Sequence, residues 1–215
     1  LALALVILGA TFGTDVAEGA GVTVSPTSGL TTTEAGGTSQ FTVVLQTQPT
    51  DDVTIGLSTS DGTEGTISTA SLTFTPIDWA TPQTVTITGV DDLVDDGDIA
   101  YTIVSAAAAS LDAGYNGIDP DDVGVTNIDN DVAGITVNPT SGLVTTEAGG
   151  TAQFTVVLNS QPTANVSIGL SSSDLTEGTV APASLTFTSG NWNVAQTVTV
   201  TGVDDPVVDG AIAYT

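Results

Sequence analysis

The acidic residues are the ones in this chain best suited to chemistry, and they are concentrated in a few short stretches. The stretch VDDLVDDGD (90–98) is dense in aspartate, and NIDND (127–131) lies further along the chain. Glu34 stands in TTEAGG and Asp61 in TSDGTEG. The candidates are Glu34, Asp61, Asp91, Asp92, Asp95, Asp96, Asp98, Asp129 and Asp131. Carboxylates gathered without a basic partner repel one another or protonate. Because a hard cation with flexible oxygen coordination removes that conflict, the pattern predicts a Ca²⁺ site.

The composition limits which partners and reactions this chain can have. It carries 25 Asp and Glu residues and no Lys, Arg or His, for a formal charge of −25. Nucleic acid and anionic membrane surfaces both require cationic side chains, so neither is expected as a partner. The absence of His, Cys and Lys excludes Ser–His and Cys–His nucleophiles and Schiff-base chemistry. Carboxylate-pair hydrolysis remains, but nothing in the sequence places such a pair across a cleft, and we predict no enzyme.

The chain contains a tandem duplication. Residues 21–102 align without a gap with residues 134–215, a period of 113 residues (134 − 21), and they differ at 24 positions. The sequence therefore divides into an N-terminal segment (1–20), a first repeat (21–133) and a second repeat (134–215). The second repeat has no counterpart of the first repeat's residues 103–133.

Each repeat alternates apolar and polar residues over short runs, which is typical of β-strands. In the first repeat these runs are 22–24, 40–46, 53–60, 70–76, 83–90, 98–106 and 123–128, separated by Gly, Pro, Asp and Ser. About seven strands in some 110 residues indicate an all-β protein of tandem immunoglobulin-like antiparallel β-sandwiches, the second incomplete within the chain. Alternate turns of such a sandwich share one end, which would gather the acidic loops.

The order of strands and loops resembles the Calx-beta repeat of sodium–calcium exchangers and of many bacterial surface proteins. The resemblance rests on TEAGGTSQFTVVL, SDGT, LTFTPIDWATPQTVTITGVDDLVDDGD, YTI and VTNIDND, in that order. It implies Ca²⁺ at one tip of the sandwich, held by the acids given above. The aligned candidates of the second repeat are Glu147, Asp174, Asp204, Asp205 and Asp209. Val208 and Ala211 replace two acids there, so weaker Ca²⁺ binding is expected.

The N-terminal stretch LALALVILGATF is uncharged and strongly apolar. We expect it to act as a β-strand that completes a sheet, either the second repeat of another copy, joined head to tail, or a preceding domain of a longer array. The residues of this polymerisation strand are Leu1, Leu3, Leu5, Val6, Ile7, Leu8 and Phe12. A signal-peptide remnant or a membrane anchor would also account for an apolar segment. A signal peptide would begin with a basic region, which this segment lacks. A membrane anchor needs about 20 apolar residues to span a bilayer, and this segment is shorter.

These observations predict a non-catalytic structural protein of an extracellular fibre or cell-surface stalk, stiffened by Ca²⁺, with copies of itself or neighbouring repeats as partners. The alternative is a ligand- or sugar-binding adhesin module. It would use Trp79 and Trp192 for stacking, whereas packing at a sandwich edge is their structural interpretation. The sequon at 165–167 can be a glycosylation site or a chance match. Solvated acidic turns are the alternative interpretation of the acidic loops.

Overall fold

A computed structural model describes residues 19–206 and 210–215. Ten β-strands lie in the first repeat. They are β1 (Val22–Ser25), β2 (Leu30–Thr33), β3 (Thr38–Leu45), β4 (Val53–Thr59), β5 (Gly65–Ile67), β6 (Ser71–Phe74), β7 (Gln83–Gly89), β8 (Ile99–Ser105), β9 (Ala109–Ser110) and β10 (Val123–Ile128). The second repeat contains β11 (Ile135–Asn138), β12 (Thr151–Leu158), β13 (Val166–Gly169), β14 (Gly178–Ala181), β15 (Ser184–Phe187) and β16 (Gln196–Gly202). No helix occurs among the described residues, so none there could span a membrane.

Two sheets form the first repeat. One has the strand order β1-β3-β7-β5 and is antiparallel throughout. The other has the order β2-β10-β8-β4-β6, with β9 beside β4; β2 and β10 pair in parallel, and its remaining pairs are antiparallel. Alternate residues of each strand face the space between the sheets, because successive side chains of a strand point to opposite faces. Phe41 and Val85 from the first sheet therefore meet Ile55 and Ile103 from the second in one core.

The strands β1 and β2 form one interrupted strand that crosses between the sheets. Both run antiparallel to β3, β1 through its ladder and β2 through the bridge between Thr33 and Gly37. Because β10 is parallel to β2, the chain enters the repeat at one end of the sandwich and leaves it at the other. We call the end where β2, β7 and β10 finish the exit pole.

The second repeat repeats this plan over a smaller area. The sheet β11-β12-β16-β14 matches β1-β3-β7-β5 in order and register, and β13-β15 matches β4-β6. Thr215 exchanges hydrogen bonds with Ser173 as Thr102, in the middle of β8, does with Ser60. Ile168 is half-buried, whereas its counterpart Ile55 is fully buried. In the first repeat β8 and β9 pair with β4, whereas among the described residues β13 pairs with β15 alone.

The all-β tandem sandwich predicted from the sequence is confirmed. The seven strands predicted in the first repeat are all present, and β2, β5 and β9 were missed. These three are two to four residues long, and the LTTT of β2 does not alternate in hydrophobicity. Each exists because a longer neighbouring strand supplies its hydrogen-bond partners, which local sequence does not reveal.

Candidate metal centre

The exit pole collects four acidic segments because of the strand directions. Glu34 follows β2, and Glu64 precedes β5, which is antiparallel to β7. The loop 90–98 joins the end of β7 to the start of β8, and the segment 129–131 follows β10. Strands that finish at this pole thus alternate with strands that start there. The loops gather as alternate turns of an antiparallel sandwich should.

The first cluster, which we call triad A, lies at the C-terminal ends of the two parallel strands β2 and β10. It consists of Glu34, Asp129 and Asp131, each with a carboxylate oxygen within 4.8 Å of the others. Glu34 is only 3% exposed, and its Oε2 accepts a hydrogen bond of 3.1 Å from the backbone N–H of Asn130. The backbone N–H of Glu34 in turn donates to the Ile128 carbonyl at 3.1 Å. Triad A therefore lies on a backbone scaffold that fixes its geometry.

The second cluster, triad B, lies beside it and draws on the loop after β7. It consists of Glu64, Asp92 and Asp96, again with carboxylate oxygens within 4.8 Å of one another. Glu64 is 6% exposed and receives a hydrogen bond of 3.3 Å from Asn127 Nδ2. Glu64 is not among the ligands predicted from the sequence. The Thr-Glu-Gly that is kept at 63–65 and 176–178 of the two repeats was the available signal.

Burial and like charge act together on these acids. Burial raises the pKa of Glu34, and the negative charges of Asp129 and Asp92 raise it further, against the lowering effect of the Asn130 hydrogen bond. Burial also raises the pKa values of Glu64, Asp96 and Asp131, each with added repulsion from neighbouring aspartates. The pKa of Asp129 is lowered because the N–H groups of Asp131 and Gly97 donate to its carboxylate. The pole thus holds charge that the protein itself does not neutralise.

Three other predicted acids accept hydrogen bonds that hold the segment after β10 in place. Asp91 Oδ1 accepts a hydrogen bond of 2.9 Å from Asn130 Nδ2. Asp98 Oδ1 accepts from the Asp129 N–H at 3.2 Å, and Asp95 Oδ2 accepts from the Ala133 N–H at 2.7 Å. Asp61 belongs to neither triad, and its Oδ1 accepts hydrogen bonds from both the N–H and the hydroxyl of Thr63. These hydrogen bonds lower the pKa of Asp61.

The predicted acids of the second repeat do not gather among the described residues. Glu147 and Asp204 are exposed, Asp205 is half-buried, and Asp174 Oδ1 accepts from Thr176 as Asp61 does from Thr63. Asp209 lies outside the described residues. Glu147 has no counterpart of the Ile128–Asn130 segment over it, since no part of the second repeat aligns with residues 123–131. A triad therefore requires the last strand of the sandwich.

The acidic loop of the first repeat also contacts the second repeat. The Gln161 N–H donates to the Leu93 carbonyl at 2.6 Å. The link between β10 and β11 is held by the hydrogen bond from the Ala133 N–H to Asp95. A cleft of about 610 Å³ lies at this joint, with Val94 and Asp95 on one side and the segment 160–166 on the other. The two repeats thus meet at the cation-binding candidate itself.

Cation-free protein should be more stable near pH 5 than at pH 7. Because the folded state raises the pKa values of Glu34 and Glu64, the stability they contribute is full below their ordinary pKa and is lost as pH rises through the folded pKa. Below about pH 4 the free energy of unfolding should fall again as pH decreases. The folded state lowers the pKa values of Asp61 and Asp129, so protonating them favours the unfolded chain. Thermal unfolding of metal-free protein at both pH values measures this. A higher melting temperature at pH 7 would contradict it.

The fold and the exit pole define a tandem β-sandwich protein with paired carboxylate triads at the joint between its repeats. No family model matches the sequence, and no curated protein matches it. Among solved structures, the apo form of the Calx CBD1 domain is 20% identical, with a TM-score of 0.41, over 53% of this chain and 100% of that one. The calcium-binding domain CBD12 of CALX1.1 is 16% identical, with a TM-score of 0.41, over 86% of this chain and 76% of that one.

Proposed function

We propose that this chain is a Ca²⁺-binding, non-catalytic structural module of an extracellular fibre or cell-surface stalk. The observation that carries the proposal is the position of triads A and B at the pole where the first repeat contacts the second. Millimolar Ca²⁺ outside cells suits sites of 10⁻⁴–10⁻³ M affinity. A chain of charge −25 without any Lys, Arg or His needs such external cations to reduce its self-repulsion.

The donor set fits Ca²⁺. Each triad offers carboxylate oxygens alone, and neighbouring carboxylates and backbone carbonyls lie in the same loops. Asp131 Oδ2 is buried and has no hydrogen-bond partner, one of two such side-chain atoms among the described residues. A buried anionic oxygen without a donor is costly. A cation held by triad A would satisfy it.

Bound Ca²⁺ would stiffen the joint as well as the first repeat. The backbone from Asp129 to Ala133 is at once part of triad A and the link to the second repeat. The loop that carries Asp92 and Asp96 also supplies the Leu93 carbonyl to Gln161. A cation that fixes these segments removes freedom from the link, so a row of such repeats would behave as a rod.

Removing two ligands of triad B tests the proposal. Calorimetric titration of the full chain with Ca²⁺ should show at least tenfold weaker binding for Asp92→Asn with Asp96→Asn. The matched control is Asp51→Asn with Asp52→Asn, which removes the same charge from an exposed turn. Small-angle scattering should show a narrower range of dimensions on Ca²⁺ addition in the wild type and the control only. Equal affinity in the two double variants, or no binding by wild type, would refute the proposal.

Strand complementation is a second proposal, supported by the half-buried face of the second repeat. Val166, Ile168 and Leu170 are half-buried, whereas their counterparts Val53, Ile55 and Leu57 are buried. A further strand laid beside β13 would cover them by β-augmentation. Residues 1–12, which lie outside the described residues, supply an apolar candidate from another copy, and a strand of a longer array is the other source.

Deleting residues 1–12 distinguishes these sources. If another copy donates this strand, the wild type should form head-to-tail filaments in electron micrographs and the deletion variant should stay monomeric. Filaments of unchanged length after deletion would contradict donation by this segment. Leu3→Asp with Leu5→Asp is the matched test in a chain of full length.

The described tryptophans favour the stalk over the sugar-binding module. Trp79 and Trp192 are half-buried and pack against the apolar cores of the first and second repeats. The carbonyl of each also accepts a hydrogen bond from the end of a central strand, Leu45 in one repeat and Leu158 in the other. Both residues thus close the edge of a sandwich, which supports packing as their role.

A further inference from the structure

One buried amide stands between the two triads. Asn127 lies near the end of β10 and is 1% exposed. Its Nδ2 donates to Glu64 Oε2 at 3.3 Å and to the Val90 carbonyl at 3.0 Å. Two residues further along the chain lies Asp129 of triad A, and two residues after Val90 lies Asp92 of triad B. Asn127 therefore contacts Glu64 and the start of the loop that carries Asp92, and it lies on the segment that carries Asp129.

The hydrogen bonds around Asn127 run in one direction. Thr32 Oγ1 donates to Asn127 Oδ1 at 2.9 Å and is 3.2 Å from the Tyr101 hydroxyl. Because the Thr32 hydroxyl has one proton and gives it to Asn127, Tyr101 must donate to Thr32. The order of donors is then Tyr101, Thr32, Asn127 and finally Glu64. Glu64 is the acceptor at the end of a buried chain.

This direction fixes the identity of residue 127. A reversed amide would set Oδ1 against two acceptors, Glu64 Oε2 and the Val90 carbonyl. An aspartate would do the same and add a charge beside Glu64. The space is also fixed, because a Cβ on Gly89 would lie 2.5 Å from Asn127 Oδ1 and 2.2 Å from the Thr33 carbonyl. The site accommodates an asparagine in one orientation.

We propose that Asn127 is a positioning residue that holds Glu64 and the loop before Asp92 at the spacing a cation requires in triad B. The inference rests on the proposed Ca²⁺ function. By this role, Asn127 sets the affinity of triad B without itself binding the cation. Outer partners of metal ligands typically change affinity 10- to 100-fold when they are lost.

Asn127→Leu, of similar size but without donors, tests the inference on the full chain. Titration calorimetry with Ca²⁺ should show 10- to 100-fold weaker binding at one class of site, while a second class remains. Thr32→Val is the matched control, because it removes both hydrogen bonds that the Thr32 hydroxyl makes in the same buried chain and leaves both Asn127 donors in place. It should lower the melting temperature of cation-free protein yet keep the wild-type Ca²⁺ affinity.

The rise in melting temperature on Ca²⁺ addition separates positioning from simple packing. A packing role would lower the cation-free and Ca²⁺-bound melting temperatures of Asn127→Leu equally, whereas positioning predicts a smaller rise than in wild type. If Asn127→Leu does not fold, Asn127→Ala should bind about tenfold more weakly than wild type. Unchanged affinity in the folded variant, or an equal affinity loss in Thr32→Val, would overturn the inference alone. A wild type that binds no Ca²⁺ would overturn the proposed function with it.

Discussion

Removing Ca²⁺ is expected to lower the melting temperature of the first repeat by roughly 10–20 °C for each site that it fills. A ligand present at 100 times its Kd stabilises the folded state by about 2.7 kcal/mol per site. For domains of this size class each kcal/mol shifts the melting temperature by roughly 4–8 °C. Trp79 fluorescence in a Trp192→Phe chain reports on the first repeat alone, because each repeat has one tryptophan.

The matched comparisons for this prediction lie within the chain. Trp192 fluorescence in a Trp79→Phe chain should show a smaller shift, since the described part of the second repeat gathers no triad. Glu34→Gln should raise the melting temperature of cation-free protein, because it removes a buried charge, and should reduce the response to Ca²⁺. Identical melting curves of wild type with Ca²⁺ and with chelator at low salt would contradict the Ca²⁺ assignment.

The second large effect is expected from one core isoleucine. Ile55 is fully buried between the sheets of the first repeat, so Ile55→Ala should lower the free energy of unfolding by about 2–5 kcal/mol. The aligned Ile168 is half-buried, and Ile168→Ala should cost about 1 kcal/mol or less. Urea unfolding followed through the tryptophan of each repeat measures both.

The same pair reports on the uncovered face of the second repeat. If another strand covers β13 in filaments or in a longer array, the cost of Ile168→Ala should rise there towards that of Ile55→Ala. The first repeat needs no such partner and should show one cost in both states. Equal costs for the two variants in the isolated chain would contradict the burial difference between the repeats.

The sequence was sufficient to predict the core strands and the loops that gather at the exit pole. Alternation of apolar residues identified β3, β4 and β7, and turn residues placed Asp92 and Asp129 at strand ends. These features are local, since each depends on a few consecutive residues. Antiparallel pairing then sets the direction of most strands, whereas the parallel pairing of β2 with β10 is not evident from local sequence.

The division of the acids into two triads could not be predicted in this way. It depends on distances across four loops, which neither spacing nor composition contains. Glu64 was missed because β5, which positions it, is three residues long and exists only as a partner of β7. Asn127 was hidden for a related reason. Its neighbours Thr32, Glu64 and Val90 come from three other segments, so only the folded chain shows that its amide is used.

The parallel pairing of β2 with β10 has a mechanical consequence. Tension along a row of repeats would pull on the chain at the entry to β1 and at the end of β10, which lie at opposite ends of the sandwich. The two strands pair from Leu30 beside Val125 to Thr33 beside Ile128. They then run along the direction of the force, and the hydrogen bonds between them lie perpendicular to it. These hydrogen bonds would share the load in shear instead of opening one after another, and triad A, which joins the ends of the same two strands, would sit where that load is greatest.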